Sequence, residues 1–436
     1  MNAAIHPRPA AERAPSYYAA TLNEETDYPT LLGAVTVDIA IIGGGFTGVA
    51  TAVELAERGY KVALVETHRI GWGASGRNGG QVTGSLSGDA AMHKQMRQWL
   101  GAEVEDFIWH LRWRGHEIIR QRVEKYGIAC DLRHGHLHAA MKASHMGELQ
   151  ASYEEAVRRG MGDQVVLLDK AGVQAHLETE LYCGALKNTR NMHLHPLNLC
   201  IGEARAAAGL GALIFEHSEV LDIVHGPRPA VITREGRIEA QQILLAGDVY
   251  HKLERRQLKG MIFPAMGGIV TTRPLGELAR EINPQGLAVY DCRFVLDYYR
   301  PTADGRLLFG GGANYSGPRL AGHRRRAAAM HRAHLPAPEG RGDRVPVELR
   351  HGHRDEPDPQ LGKLSDNVWY CQGYSGHGVA TSHIMGEIMA KAMSGSLEQF
   401  DTSPVASTSG CRWATSSAIR CWPPGMWYYQ LMEKLR

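Results

Sequence analysis

Three glycines and one carboxylate carry the most chemistry in this sequence: Gly43, Gly45 and Gly48, then Glu66. They stand in VDIAIIGGGFTGVATAVELAERGYKVALVE, Val37 to Glu66. The G-x-G-x-x-G spacing suits a pyrophosphate. The first glycine permits a tight turn, the second lets phosphate approach the backbone, and the third lets helix and strand pack closely. Phe46 and Thr47 open the helix that follows, where N–H groups and a partial positive charge favour an anion. An acid at Glu66 can bind ribose hydroxyls and would repel a 2′-phosphate. The pattern therefore points to a dinucleotide with a free ribose diol, FAD or NAD.

The spacing has that meaning only if the right elements surround it, since glycine clusters also make ordinary turns. Val37, Ile39, Ala40, Ile41 and Ile42 form an apolar run of strand length. Val49, Ala52, Val53 and Ala56 follow with helical period, Gly59 ends the helix, and Lys61 to Val65 gives a second buried strand. Strand, glycine turn, helix, strand and acid thus occur in order within one βαβ length.

Thr67 to Gln81, THRIGWGASGRNGGQ, is too glycine-rich for a helix or a central strand. It reads either as a surface loop or as backbone laid against a flat ring. In the second reading Gly71, Gly73, Gly76, Gly79 and Gly80 allow the approach, and Ser75, Arg77 and Asn78 add polar contacts. Its place just after the ribose-binding acid favours the second, with Gly73, Ala74, Ser75, Arg77, Asn78, Gly79 and Gly80 as cofactor contacts.

GGGFTG, the distal Glu66 and GWGASGRNGGQ together resemble the glycine oxidase and D-amino-acid oxidase family of FAD-dependent amine oxidoreductases. SYYAAT, GHLHAAMK, HLHPLNL, RFVLDYYR, DGRLLFGGG and GYSGHGV are similar to the same family, so the likeness runs over residues 14 to 318 and 360 to 400. It implies an α/β fold: a Rossmann-like FAD-binding domain of glutathione-reductase type and a second, antiparallel-sheet substrate domain. It implies FAD contacts at Val220 on the adenine side, at Gly247, and at Gly376, His377, Gly378 and Val379, where a helix N-terminus would face the flavin. It also implies oxidation of a CH–NH2 or CH–NH group. Within the family the likeness favours gamma-glutamylputrescine as substrate and putrescine catabolism as setting, with aldehyde, ammonia and, through molecular oxygen, hydrogen peroxide as products. The rival functions are an amino-acid or imino-acid dehydrogenase passing electrons to a carrier, and an inactive FAD-binding protein.

The chain has 436 residues, which is long for one core. The expected division is an N-terminal arm at 1–29, an FAD domain at 30–85, 160–260 and 360–400, and a substrate domain at 86–159 and 261–317. Forty-four per cent hydrophobic and 22% charged residues are ordinary for a globular protein, and a net charge of +2 argues for neither nucleic acid nor a membrane surface. No run of membrane-spanning length occurs, and seven scattered cysteines fit a reduced cytoplasm. No His or Cys lies in Gly71 to Gln81, which predicts noncovalent FAD. The single complete fingerprint predicts that nicotinamides are not used.

Pro264 to Gly312 reads as antiparallel strands. Alternation puts Phe294, Leu296, Tyr298 and Arg300 on one face and Val295, Asp297 and Tyr299 on the other. Tyr298 and Arg300 could then offer a substrate an aromatic wall and a carboxylate fork. No lysine lies between Val295 and Asn314 to promote oxygen reduction, and no proton acceptor is evident. His193 and His195 could ligate a metal but lack a third partner nearby, so a structural role is expected and no metal is assigned. Trp109 and Trp113 read as packing residues.

Two stretches depart from the family pattern. Residues 318–359 have no Ile, Phe, Tyr or Trp, and cluster Arg, His, Pro and Gly, so they do not read as the expected helix and strands. Residues 401–425 are similarly foreign, whereas MWYYQLMEKLR at 426–436 resembles the family again. A disordered insertion, a basic nucleic-acid-binding arm and a shifted reading frame compete, and similar length favours the shifted frame.

Overall fold

A computed structural model of the chain describes residues 13–86, 93, 96, 97, 100–293, 296–314, 345–353 and 359–395. Strand Ile39–Ile42 stands near the middle of a six-stranded sheet. The order is Gln360–Ser365, Val368–Gln372, Gln242–Leu245, Ile39–Ile42, Val62–Val65, Leu213–Phe215. All pairings are parallel except that of the edge strand Gln360–Ser365. Both faces are covered, as all-apolar parallel strands require. Ile39, Ile41 and Leu64 pack in one cluster with helix α1, Phe46–Glu57. Ala40, Ile42, Ala63 and Val65 pack in another with Ile223, Val231 and Ile238 of a four-stranded sheet, three antiparallel strands with Gly33–Thr36 added in parallel at one edge.

Three further helices matter for the site: α2, Val104–Tyr126; α3, Pro196–Gly209; and α4, Gly378–Met393. α4 lies close against its neighbours because glycine stands at each crossing. A Cβ on Gly386 would come within 2.8 Å of Ala50 Cβ on α1, and one on Gly115 of α2 within 2.5 Å of the Ala380 carbonyl.

The second sheet has nine strands and is mostly antiparallel. Its order is Val345–His353, Phe263–Thr271, Leu307–Asn314, Asp297–Pro301, Ala288–Asp291, Arg133–Ala140, Gly184–His193, Gln81–Val82, with Val165–Asp169 also paired to Gly184–His193. The mixed α/β fold with a parallel nucleotide sheet and a separate, largely antiparallel one is the expected class.

Two stretches differ from expectation. Val165–Asp169 and Gly184–His193, within the 160–260 stretch expected with the FAD domain, are strands of the large sheet. Within 318–359, Val345–His353 is a strand paired along its whole length with Phe263–Thr271. The Arg- and His-rich composition hid the period-two alternation of Val345, Val347 and Leu349. Phe294, Val295, the rest of 318–358 and the tail 401–436 lie outside the described residues.

Candidate functional site

The cradle begins where strand Ile39–Ile42 turns into α1. Gly43 has φ +115°, and a Cβ there would sit 2.7 Å from the Ala246 carbonyl oxygen at the end of the neighbouring strand. A Cβ on Gly48 would fall 1.9 Å from the Gly43 carbonyl oxygen, so the helix cannot close on the turn with any larger residue. Gly45 is the N-cap of α1, and Ser75 Oγ accepts from the Phe46 N–H at 2.9 Å. Ser75 from the second glycine loop therefore already stands at the helix N-terminus where an anion belongs.

Glu66, directly after strand Val62–Val65, closes the turn from the other side. Its carboxylate accepts from the Gly44 N–H at 2.7 Å and the His68 N–H at 2.9 Å. Burial pushes its carboxyl above the ordinary range, against the pull of those two N–H groups. The Ser218 N–H donates to the Glu66 carbonyl at 2.9 Å, two residues before Val220, which opens strand Val220–Val224 and pairs with Thr233.

The loop from Gly71 to Gln81 is braced internally. Asn78 Nδ2 donates to the Ala74 and Ser75 carbonyls at 3.1 and 2.9 Å, and its Oδ1 accepts from the Gly80 N–H at 2.8 Å. Arg77 Nε donates to the Gly73 carbonyl at 3.1 Å while its guanidinium lies 4.8 Å from the Trp72 ring centroid. Both side chains thus hold the loop in shape, whatever else they touch.

Tyr298 and Arg300 do share a sheet face, turned to this loop. A Cβ on Gly79 would meet the Tyr298 ring at 2.4 Å. The carboxylate-fork reading of Arg300 needs correction. Its side chain is buried; Nε donates to the Gly79 carbonyl at 2.7 Å, Nη2 to the Leu194 carbonyl at 2.7 Å and the Tyr18 hydroxyl at 3.1 Å, and Nη1 to the Pro301 carbonyl at 3.3 Å. Four of its five N–H donors are spent on the protein, so it anchors the loop and the arm that carries Tyr18.

The third wall follows strand Val368–Gln372. Ser375 (φ +46°) and Gly376 (φ +92°) are left-handed in succession before His377 caps α4. The Gly373 N–H donates to Asp248 Oδ1 at 2.9 Å, tying this turn to Gly247, and Tyr374 shares a hydroxyl–hydroxyl bond with Thr47 at 2.5 Å. Gly247, Thr47 and residues 376–379 are thereby brought together. Ser375 Oγ and Thr381 Oγ1 are buried with no hydrogen-bond partner among the described residues. Buried hydroxyls at the N-terminal end of α4 fit a polar cofactor that would satisfy them.

The face of the large sheet that carries Tyr298 also carries residues sequence reasoning missed. Register pairs His138 with Tyr290, Tyr290 with Tyr298, and Tyr298 with Gly310. The His138 and Tyr290 rings stack at 4.4 Å, and burial holds His138 down to about 4. Burial likewise pushes both phenols above their usual value. The side chains are neutral and only partly buried, suited to wall a slot for an aliphatic substrate. GHLHAAMK gave the only sequence signal for His138, and cross-strand register had to supply the rest.

His193 and His195 are structural. His195 caps α3, with Nδ1 accepting from the Asn198 N–H at 3.1 Å, and His193 Nε2 donates to the Gly286 carbonyl at 2.9 Å. No group of three or more potential metal ligands occurs among the described residues, nor does a helix long and apolar enough to cross a membrane.

The fold and the cradle define a dinucleotide-binding oxidoreductase with a separate sheet facing the cofactor region. The chain belongs to the FAD dependent oxidoreductase family, whose model matches residues 38–392. It is 37% identical over 397 residues to the gamma-glutamylputrescine oxidoreductase of Escherichia coli (strain K12), covering 89% of this chain and 91% of that protein. It is 32% identical over 440 residues to the probable oxidoreductase OrdL of Haemophilus influenzae, covering 98% of each. In fold it resembles glycine oxidase from Geobacillus kaustophilus, with a TM-score of 0.70 at 21% identity, over 85% of this chain and 98% of that one. The protein is an FAD-dependent oxidoreductase of the kind that acts on amines or amino acids.

Proposed function

We propose that the protein oxidises the primary amine of gamma-glutamylputrescine to the aldehyde, releasing ammonia and hydrogen peroxide. The observation that carries this reading is the 37% identity to a gamma-glutamylputrescine oxidoreductase over 91% of that protein's length. FAD, when bound, supplies the acceptor for a hydride from the amine-bearing carbon and passes the electrons to oxygen.

The chain's own residues bind and orient. Gly43, Gly45, Phe46, Thr47, Gly48 and Ser75 hold the pyrophosphate; Glu66 and Val220 hold the ribose and adenine end. Gly73, Ala74, Arg77, Asn78, Gly79, Gly80 and Gly247 line the middle, and Gly376 to Val379 bring the N-terminus of α4 to the ring. Tyr298 and Tyr290, with His138 behind, wall the aliphatic part of the substrate and exclude water. Water then hydrolyses the imine after it leaves that wall. Arg300, committed to three carbonyls and the Tyr18 hydroxyl, does not serve the distal carboxylate.

The absence of lysine from strands Ala288–Asp291, Asp297–Pro301 and Leu307–Asn314 favours one rival, a dehydrogenase that passes electrons to a carrier. The test is to add gamma-glutamylputrescine to the purified flavoprotein under nitrogen and under air. Bleaching of the flavin under nitrogen with peroxide formed under air supports the proposal. Bleaching without peroxide supports the dehydrogenase, and no bleaching by any amine sinks both.

A further inference from the structure

Behind the N-terminus of α4 lies a chain of buried charges with no part in the reading above. Arg122 on α2 donates from Nη1 to Glu203 Oε1 of α3 at 2.9 Å, and from Nη2 to Glu54 Oε1 of α1 at 2.9 Å. His383 on α4 completes the chain. Its Nε2 stands 3.0 Å from Glu203 Oε1 and 3.1 Å from Oε2, and its Nδ1 2.5 Å from the carbonyl oxygen of Val379. His383 and Glu203 are both 0% exposed, so water cannot serve as an alternative partner.

The partners decide where the protons are. A carbonyl oxygen only accepts, so Nδ1 carries hydrogen. Burial alone would raise the Glu203 carboxyl, yet His383 and Arg122 together hold it below its ordinary value. Glu203 is thus held from two sides, by Arg122 of α2 and by His383 of α4, and Arg122 is held in turn by Glu54, so each of the four groups has its partner within the chain, the condition under which such groups persist away from water. The remaining neighbours do not compete: α1 presents the Phe46 ring at 5.1 Å, and Glu387, one turn further along α4, is paired with Arg114 of α2.

We propose that His383 is a positioning residue for the cofactor: it ties the first turn of α4, through Val379, to Glu203 of α3. The left-handed pair Ser375 and Gly376 lies immediately before that turn, and a strained conformation persists only where the structure behind it is rigid. His383 supplies that rigidity from α3, and Phe46 against its ring couples the same point to the opening of α1. The inference rests on FAD as cofactor and is independent of which amine is oxidised.

The test is FAD titration of the full-length apoprotein. His383→Gln should weaken FAD binding about tenfold, the scale of one charge-assisted hydrogen bond, and should shift the visible absorption bands of the bound flavin, which a merely structural role away from the cofactor would leave in place. Unchanged FAD affinity and an unchanged flavin spectrum in a folded His383→Gln protein overturn the proposal. If that variant fails to fold, Glu203→Gln decides: weakened FAD binding with a shifted flavin spectrum supports the tie between α3 and α4, and unchanged affinity overturns it.

Discussion

Arg300 reaches under the glycine loop and donates from Nε to the carbonyl of Gly79 at 2.7 Å. The same guanidinium holds Leu194, next to α3, and Tyr18 in the N-terminal arm. Three separate parts of the chain therefore meet on one buried cation, directly beside the ring of Tyr298.

Arg300→Ala should act as a stability variant. It removes this donor from the Gly79, Leu194 and Pro301 carbonyls, at a cost of about 1–3 kcal/mol for each one left unsatisfied. Thermal unfolding should show a lower Tm together with lost flavin. The ratio of KM for gamma-glutamylputrescine to that for putrescine should not change, because the carboxylate present in only one of them does not meet Arg300. A selective rise in KM for gamma-glutamylputrescine at unchanged Tm would restore the fork reading.

The fingerprint glycines should separate by what each faces. A methyl on Gly48 meets the Gly43 backbone at 1.9 Å, which cannot yield. Gly48→Ala should destabilise the fold by about 3 kcal/mol or more. A methyl on Gly45 meets only Ser75 Oγ at 2.9 Å, the end of a small side chain. Gly45→Val should therefore fold, but with the pyrophosphate approach blocked it should lose FAD. Equal flavin content in Gly45→Val and the unsubstituted protein would refute the cradle assignment.

Flavin should be released by acid precipitation and remain in the supernatant. The glycine loop offers no attachment residue, and the thiols near the cradle are poor nucleophiles: burial raises Cys200 well above its usual value and Cys371 to about 12. Yellow colour retained in the pellet would contradict this.

What the sequence made legible was local. Gly43 to Glu66 specifies strand, turn, helix and strand within thirty-odd residues, and alternation placed Tyr298 and Arg300 on one face correctly. The role of Arg300 was not legible, because its partners lie at Gly79, Leu194 and Tyr18, and nothing in RFVLDYYR says how deeply that face is buried. The membership of Gly184–His193 in the large sheet was hidden for a similar reason: a strand's pattern does not name its neighbour. His138 and Tyr290 become a wall only once Ala288–Asp291 lies between Arg133–Ala140 and Asp297–Pro301.

Tyr298→Phe should test the wall directly. The phenol is neutral and partly buried, facing the glycine loop, so its removal should lower kcat/KM for the amine about tenfold while Tm and FAD content stay the same. Tyr299→Phe is the control, since that ring stacks on Phe309 at 5.4 Å on the opposite face. Equal effects of the two would mean that Tyr298 contributes packing alone.

Acid should unfold the protein through histidines outside the site. Burial depresses His116 to about 4 and His136 and His195 to about 3, each below the ordinary value of 6.5. A group whose folded pKa lies below its unfolded one binds more protons when unfolded, so stability rises with pH through the interval between the two. The contribution is full above pH 6.5 and is lost progressively as pH falls toward 3–4, at about 1.4 kcal/mol per pH unit for each histidine. Glu66 and Asp291, whose carboxyls burial raises, work in the opposite sense but are two groups against three. Tm measured from pH 7.5 down to 4.5 should be level above pH 6.5 and drop steeply below it. His195→Asn, which keeps a side-chain oxygen to cap α3, should make that slope shallower; an unchanged slope would mean that His195 does not titrate as buried.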